Sequence, residues 1–272
     1  MELMKIYQGK ETTITLHKDT VTGKRVIHKS LDRIPSHDAL DALTNEYRIC
    51  HETTLSPIRK AISKDIIDGR TTIILEYIDG VTISPGNVNR RSFIESFLRL
   101  AIKISSSIVI LHKNKIIHGN LTGDNVLHEK KTGRIYLIDF GLATISTGSI
   151  IADHDHPKGS FTHMAPEQTG RMDCGYDTRA DLYTIGVTLY ELLTGTLPFS
   201  ETDPVALIHS HLTKIPVSPS DRNPKIPRQI SAIIMHLLEK DPENRYQTAE
   251  GLVSDLEKCL LDIREKGRIK QF

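Results

Sequence analysis

Between Ile116 and Gly141 the chain reads IIHGNLTGDNVLHEKKTGRIYLIDFG, and the side chains able to do chemistry gather at two places in it. His118-Gly119-Asn120, with Asn125 shortly after, follows the apolar pair Ile116-Ile117, and Asp139-Phe140-Gly141 follows the apolar run from Ile135 to Ile138. Short apolar runs of this kind read as buried strands. Each would deliver a polar cluster at its end, presenting an amide and a carboxylate to one cleft. Asn125 and Asp139 both offer hard oxygen, the ligand type that Mg2+ prefers. Asn120 is a carboxamide, so it orients a hydroxyl by hydrogen bonding but has no basicity with which to take the proton.

The elements that must hold these residues are legible in outline. Residues 4 to 31 alternate short β-like runs with turn chemistry: KIYQGKETTITLHK, a turn from Asp19 to Lys24 containing Gly23, then RVIHKSL. Lys29 lies in the last of these runs. A lone strand lysine is by default a solvated residue, but a position one hairpin after Gly9 and one helix before Glu46 favours a functional one. Ser36 is an N-cap candidate for a helix from about Asp38 to Cys50, with Leu40, Leu43 and Tyr47 along one face. Glu46 falls on that helix, either facing inward or as a surface glutamate beside Arg48. Ile73 to Ile78 reads as a buried strand ended by Asp79-Gly80. An amphipathic helix from about Ser92 to Lys113 carries Phe93, Phe97, Leu100, Ala101, Ile104, Ile108 and Leu111 at helical spacing and leads into the central stretch. After Gly141 come polar, Gly-containing residues and then helices over 177–193, closed by Gly195, and over 204–212, 230–238 and 248–264.

Composition narrows the function classes. At 272 residues and 38% hydrophobic, the chain is long enough for one two-lobed domain with a real core. Lys plus Arg 35 against Asp plus Glu 34 gives a net charge of +1, which argues against nucleic acid or an anionic membrane as partner. Cys50, Cys174 and Cys259 lack the spacing of a metal site or disulfide framework, and a reducing cytoplasm fits them best. Neither a signal-peptide apolar region nor a run of about 20 apolar residues is present, so no membrane insertion is expected. Asp153-His154-Asp155-His156 has metal-ligating types, but neighbours on a loop rarely converge without a scaffold, and a metal site is not expected there.

The ordered set Lys29, Glu46, His118 to Asn125, Asp139 to Gly141, Ala165-Pro166-Glu167, Asp181 and Arg245 resembles the protein kinase superfamily over essentially the whole chain. The resemblance implies an α+β, bilobal fold: a small antiparallel β-sheet N lobe with one main helix (1–78), a larger, mostly α-helical C lobe (79–265), and a linker to a following module at 266–272. It implies ATP and Mg2+ as cofactors. In such a fold Lys29 pairs the phosphates and Glu46 orients Lys29, while Asn125 and Asp139 hold the metal. Glu76 and Ile78 would offer backbone groups to an adenine edge behind Leu75, and Gly9 is the one glycine kept in the phosphate-covering hairpin. His118, Phe140, Gly141, Asp181 and a Glu167 to Arg245 pair would be structural, the last two residues pinning the activation segment.

The sequence also departs from that pattern. Asn120 stands where the family has its proton-accepting Asp, Thr122 where Ser/Thr kinases place a phosphate-facing lysine, and Gly119 where many carry the arginine that receives an activation-loop phosphate. A general base contributes about 10² to 10⁴ in rate, so the expectation is an ATP-binding pseudokinase or very weak kinase in signal transduction. An active Ser/Thr protein kinase and a nucleotide-free interaction scaffold are the alternatives. His-Gly-Asn is similar to the loop of the regulatory kinase-like domain of Janus kinases. The stretches APEQTGRMDCGYDTRADLYTIGVTLYELLTGTLPF and DPENRYQTAEGLVSDLEKCL resemble the Ser/Thr-kinase-like domain that opens large bacterial and fungal sensor proteins, ahead of an ATPase-type module, a GAF domain and a sensor histidine kinase. That resemblance implies protein partners or downstream modules of the same chain.

Overall fold

A computed structural model describes residues 2–85, 93–146, 157–172 and 175–272. In chain order its strands and helices begin with β1 (Glu2–Gln8), β2 (Thr12–Lys18), β3 (Arg25–Leu31), α1 (His37–Glu52), β4 (Ala61–Ile67), β5 (Arg70–Glu76) and β6 (Gly80–Thr82). There follow α2 (Phe93–Lys113), β7 (Ile116–Ile117), β8 (Val126–Glu129), β9 (Ile135–Leu137) and β10 (Thr144–Ile145). The chain then turns helical with α3 (Thr178–Thr194), α4 (Pro204–Thr213), α5 (Pro219–Arg222), α6 (Arg228–Leu237) and α7 (Ala249–Lys266). Two compact units result, one of Met1–Val81 with Leu127–Ala143, the other of Thr82–Val126 with Thr144–Phe272. A sheet with one main helix in the first and mostly helices in the second give the α+β class.

The first unit is built on an antiparallel five-stranded sheet of order β1-β2-β3-β5-β4. Its second hairpin closes because Asp19 Oδ1 accepts the Thr22 N–H at 2.6 Å while Gly23 takes φ +67°, a left-handed conformation that glycine adopts at no steric cost. Ser36 caps α1 by accepting the Ala39 N–H at 3.3 Å. The buried stripe of α1 is Leu43, Glu46, Ile49 and Cys50. The expected face, Leu40, Leu43 and Tyr47, is therefore turned: Leu40 and Tyr47 are only half-buried. The physical reason is that the helix buries a paired carboxylate, which a reading based on apolar spacing scores as polar. Below α1, β9 receives the chain before it: Ile58 bridges Leu137, and the Arg59 N–H donates to the Leu137 carbonyl at 3.3 Å.

In the second unit α2 buries Phe97, Leu100, Ala101, Ile104, Ile108 and Leu111 as expected from their spacing. The core helix is α3, capped at its start by Asp177 and at its end by Gly195 at φ +79°. Gly186 lets α6 approach it, since a Cβ there would lie 2.7 Å from the Leu237 Cβ. Residues 267–272, most of the stretch read as a linker, turn back on the helices. Lys270 N–H donates to Asp262 Oδ2 at 3.0 Å and Phe272 N–H to Gln229 Oε1 at 3.1 Å. No helix among the described residues is long and apolar enough to cross a membrane.

Candidate functional site

In the first unit the sequence-predicted cation and both of its carboxylates come together. Lys29 projects from β3, paired with Ile14 on one side and Ile73 on the other. Its Nζ lies 2.5 Å from Glu46 Oε2 and 2.7 Å from Asp139 Oδ1. Burial alone would lower the Lys29 pKa, but the two carboxylates outweigh it and hold the ammonium above the usual lysine range. Glu46 is 1% exposed, so it faces inward, and Arg48 turns instead to Asn45.

Asp139 sits at φ +65°, ψ +66°, a left-handed position that costs a non-glycine residue about 1–3 kcal/mol. Two devices hold it there: the Lys29 contact, and Asn45, whose Nδ2 donates to the carbonyls of Phe140, Gly141 and Ala143 at 2.7–3.2 Å. Phe140 is fully buried. Gly141 passes close under α1, where a Cβ would meet the Ala42 Cβ at 3.2 Å. At the end of β5 the Glu76 N–H is bonded to the Lys60 carbonyl and the Ile78 carbonyl accepts the Gly80 N–H. Gly9 N–H donates to Thr12 O at 2.8 Å, and a Cβ on Gly9 would lie 2.9 Å from the Tyr7 ring.

The second unit holds His118, Gly119, Asn120 and Asn125. Asp181, in the first turn of α3 and fully buried, accepts the backbone N–H groups of His118 and Gly119, each at 2.9 Å, and faces His112 Nε2 at 2.9 Å. Burial pulls its carboxyl up, but His112, His118 and these donors bring it below the usual range, so it stays an anion. Gly119 takes φ +74°, where glycine is at ease and arginine would be strained. His118 is buried and its Nδ1 accepts the Asn120 N–H.

Asn120 Oδ1 accepts the Ser160 N–H at 3.2 Å, and its backbone carbonyl accepts Asn125 Nδ2 at 2.9 Å. That second bond fixes the Asn125 amide so that Oδ1 is the atom left for a hard cation. Thr122 is buried. Gln168 bridges Gly119 O and the Ala165 N–H, both at 3.1 Å. Glu167 and Arg245 form a two-pronged pair at 2.6 and 2.8 Å with both residues buried.

Asp153 to His156, dismissed above as metal ligands, lie outside the described residues, as does Cys174. Four contributors were missed from the sequence: Asn45, Arg59, His112 and Gln168. Asn45 had a signal, as the neighbour of a helix glutamate on the turn facing Asp139-Phe140-Gly141. Arg59 had none, because a buried arginine has no apolar period.

Among families of known proteins, the one described as the protein kinase domain matches residues 2–256. A probable serine/threonine-protein kinase of Clostridium perfringens is 34% identical over 191 residues, covering 70% of this chain and 27% of that protein. PrkC, a serine/threonine-protein kinase of Bacillus subtilis, is 32% identical over 68% of this chain and 28% of its own length. PknB of Mycobacterium tuberculosis, also a serine/threonine-protein kinase, is 32% identical over 68% and 29% respectively. The matched region thus spans under a third of each of these relatives.

Proposed function

The chain belongs to the protein kinase family, and from that premise we propose that it binds Mg-ATP while transferring phosphate weakly or not at all, acting as a regulatory domain in signalling. The observation that carries this reading is Asn120. The amide occupies the base position, and its Oδ1 is engaged by the Ser160 N–H, so it serves to tie the 157–172 segment to the loop. A carboxamide so placed orients but does not deprotonate. Binding, by contrast, keeps its parts. Lys29 is charged, oriented by Glu46 and suited to phosphate oxygens, and Ile78 has an N–H with no backbone partner among the described residues to offer an adenine acceptor.

The family resemblance assigns Mg2+ to Asp139 and Asn125, and each, taken in its own unit, offers oxygen suited to a hard cation: the Asp139 side chain is 41% exposed, and Asn125 Nδ2 is committed to the Asn120 carbonyl, which leaves its Oδ1. The metal, when bound, neutralises phosphate charge; the protein's part is to place Lys29 and to hold the loop through Asp181. Resemblance to the kinase-like opening domain of large sensor proteins, and a match covering under a third of the relatives' lengths, support a wider reading. In it this domain of residues 1–265 answers to other modules of the same chain in the cytoplasm.

A second reading, a working Ser/Thr protein kinase, is favoured by the intact Lys29 to Glu46 pair and by the activity printed in the relatives' names. Two measurements decide. Mg-ATP at about a hundred times its Kd should raise the unfolding free energy by about 2.7 kcal/mol, and Lys29→Met should abolish the rise. Labelled-phosphate transfer should be near background for the natural sequence and rise about a hundredfold or more in Asn120→Asp. Brisk transfer by the unaltered chain that disappears in Asp139→Ala establishes the second reading; no stabilisation at millimolar nucleotide leaves an interaction scaffold.

A further inference from the structure

The start of α1 is completed from outside the helix. Ser36 caps it, and a capping box would need a Glu or Gln three residues on to accept the Ser36 N–H. Ala39 stands there and has no such side chain. Glu11 supplies the carboxylate instead, from the turn between β1 and β2. Its Oε1 accepts the Ser36 N–H at 2.7 Å and its Oε2 the Ser36 hydroxyl at 2.9 Å. These two donors hold the Glu11 carboxyl below the usual carboxylate range, so it is an anion at neutral pH. Glu11 is also bound at its backbone, where its carbonyl accepts the Asp32 N–H at 2.9 Å and carries the β2–β3 ladder one step further.

The turn tied down in this way is the one that carries Gly9. Glu11 lies two residues on, so a clasp on it limits how far the Gly9 backbone can swing. The helix at the other end of the clasp carries Glu46, which holds Lys29. Hairpin and lysine, the two parts of this unit that would meet phosphate, are thereby anchored to one helix. A loop held in place before its ligand arrives does not have to be ordered on binding, which favours affinity.

We propose that Glu11 is a positioning residue for nucleotide phosphate: through Ser36 it presets the Gly9 hairpin beside the helix that orients Lys29. The proposal rests on the nucleotide-binding reading above. It requires Glu11 to matter for phosphate and not for adenosine, and to act through the tie rather than through the stability of α1.

The test measures Mg-ATP and adenosine affinity by calorimetry on the whole 272-residue chain, with urea unfolding of each variant alongside. Glu11→Gln is the reference. It drops the charge, whose repulsion of phosphate would blur the comparison, yet still accepts the Ser36 N–H and can donate to the Ser36 hydroxyl. Glu11→Ala should bind Mg-ATP about three- to tenfold more weakly than Glu11→Gln, the effect of one more group to order on binding, with adenosine affinity within about twofold. Adding Ala39→Gln to Glu11→Ala rebuilds the cap within α1 but not the tie to the hairpin, so the urea midpoint should recover while the Mg-ATP loss persists. Equal Mg-ATP affinity in Glu11→Ala and Glu11→Gln, a parallel loss of adenosine, or recovery of Mg-ATP affinity on adding Ala39→Gln overturns the proposal and leaves nucleotide binding intact. A natural chain that binds neither ligand overturns both readings.

Discussion

Replacing Arg245 should be the most damaging single change in the second unit. All five N–H donors of its guanidinium are used. Two go to Glu167, at 2.6 and 2.8 Å, and the others go to the carbonyls of Glu239 at 2.7 Å, Lys240 at 2.9 Å and Arg179 at 3.2 Å. Arg245→Met strands a carboxylate that is 1% exposed and removes the donor from three backbone acceptors. Breaking one member of a buried pair costs about 3–5 kcal/mol. At about 2–4 °C per kcal/mol for a chain approaching this size, the unfolding temperature should drop by roughly 10 °C. The assay is urea unfolding followed by circular dichroism, run on Arg245→Met, Glu167→Leu and the double variant. Because an apolar pair of similar bulk is no worse than a buried ion pair, the double variant should be more stable than the sum of the single losses predicts. The 157–172 segment should also be nicked faster by protease in Arg245→Met, since Gln168, next to Glu167, ties that segment to Gly119. A loss below about 1 kcal/mol, or strict additivity in the double variant, would refute the claim that a desolvated ion pair anchors this segment.

Two further outcomes follow from burial. The His163 imidazole is pushed by burial from 6.5 to about 4, with Glu191 at 3.7 Å too far to bond it, and burial likewise lowers His211 to about 4. A depressed folded-state histidine contributes stability that is full above the unfolded pKa and is lost as pH falls. His163 should therefore cost roughly 3 kcal/mol between pH 6.5 and 4. Urea midpoints measured across that window should fall steeply, and less steeply in His163→Gln; equal slopes would count against the buried, neutral form. Gly186→Ala should destabilise even though alanine is the better helix former by about 1 kcal/mol. The new methyl would sit 2.7 Å from the Leu237 Cβ, and overpacking costs about 1–3 kcal/mol, so a gain in stability would contradict the close approach of α3 and α6.

What the sequence disclosed and what it hid divide along a physical line. Helix positions followed from apolar period and caps: α2 and α3 are found where Phe97 to Leu111 and Asp177 to Gly195 place them. The second hairpin turn followed from Asp19 and Gly23. Hidden were residues whose burial is made possible only by partners distant in sequence. Glu46 is buried because Lys29, with Arg59 at 3.7 Å, balances its charge, and this turned the inner face of α1 away from Leu40 and Tyr47. Arg59 and His112 are polar letters in apolar surroundings, legible only once Glu46 and Asp181 are in place.

The same division bears on function. Lys29 is the cation that both Glu46 and Asp139 face, and removing it would leave the buried Glu46 carboxylate without its hydrogen-bonded counter-charge, so drift at Lys29 is penalised through stability. Asn120 is free of that constraint. Its carboxamide is neutral, its Oδ1 is satisfied by the Ser160 N–H and its backbone carbonyl by Asn125, so the loop is held with no charge at position 120. An aspartate there would accept the same Ser160 N–H and add an anion without displacing any bond drawn above. The Asn120→Asp substitution is therefore sterically undemanding, and a rise in phosphate transfer on making it would isolate proton acceptance as the missing function.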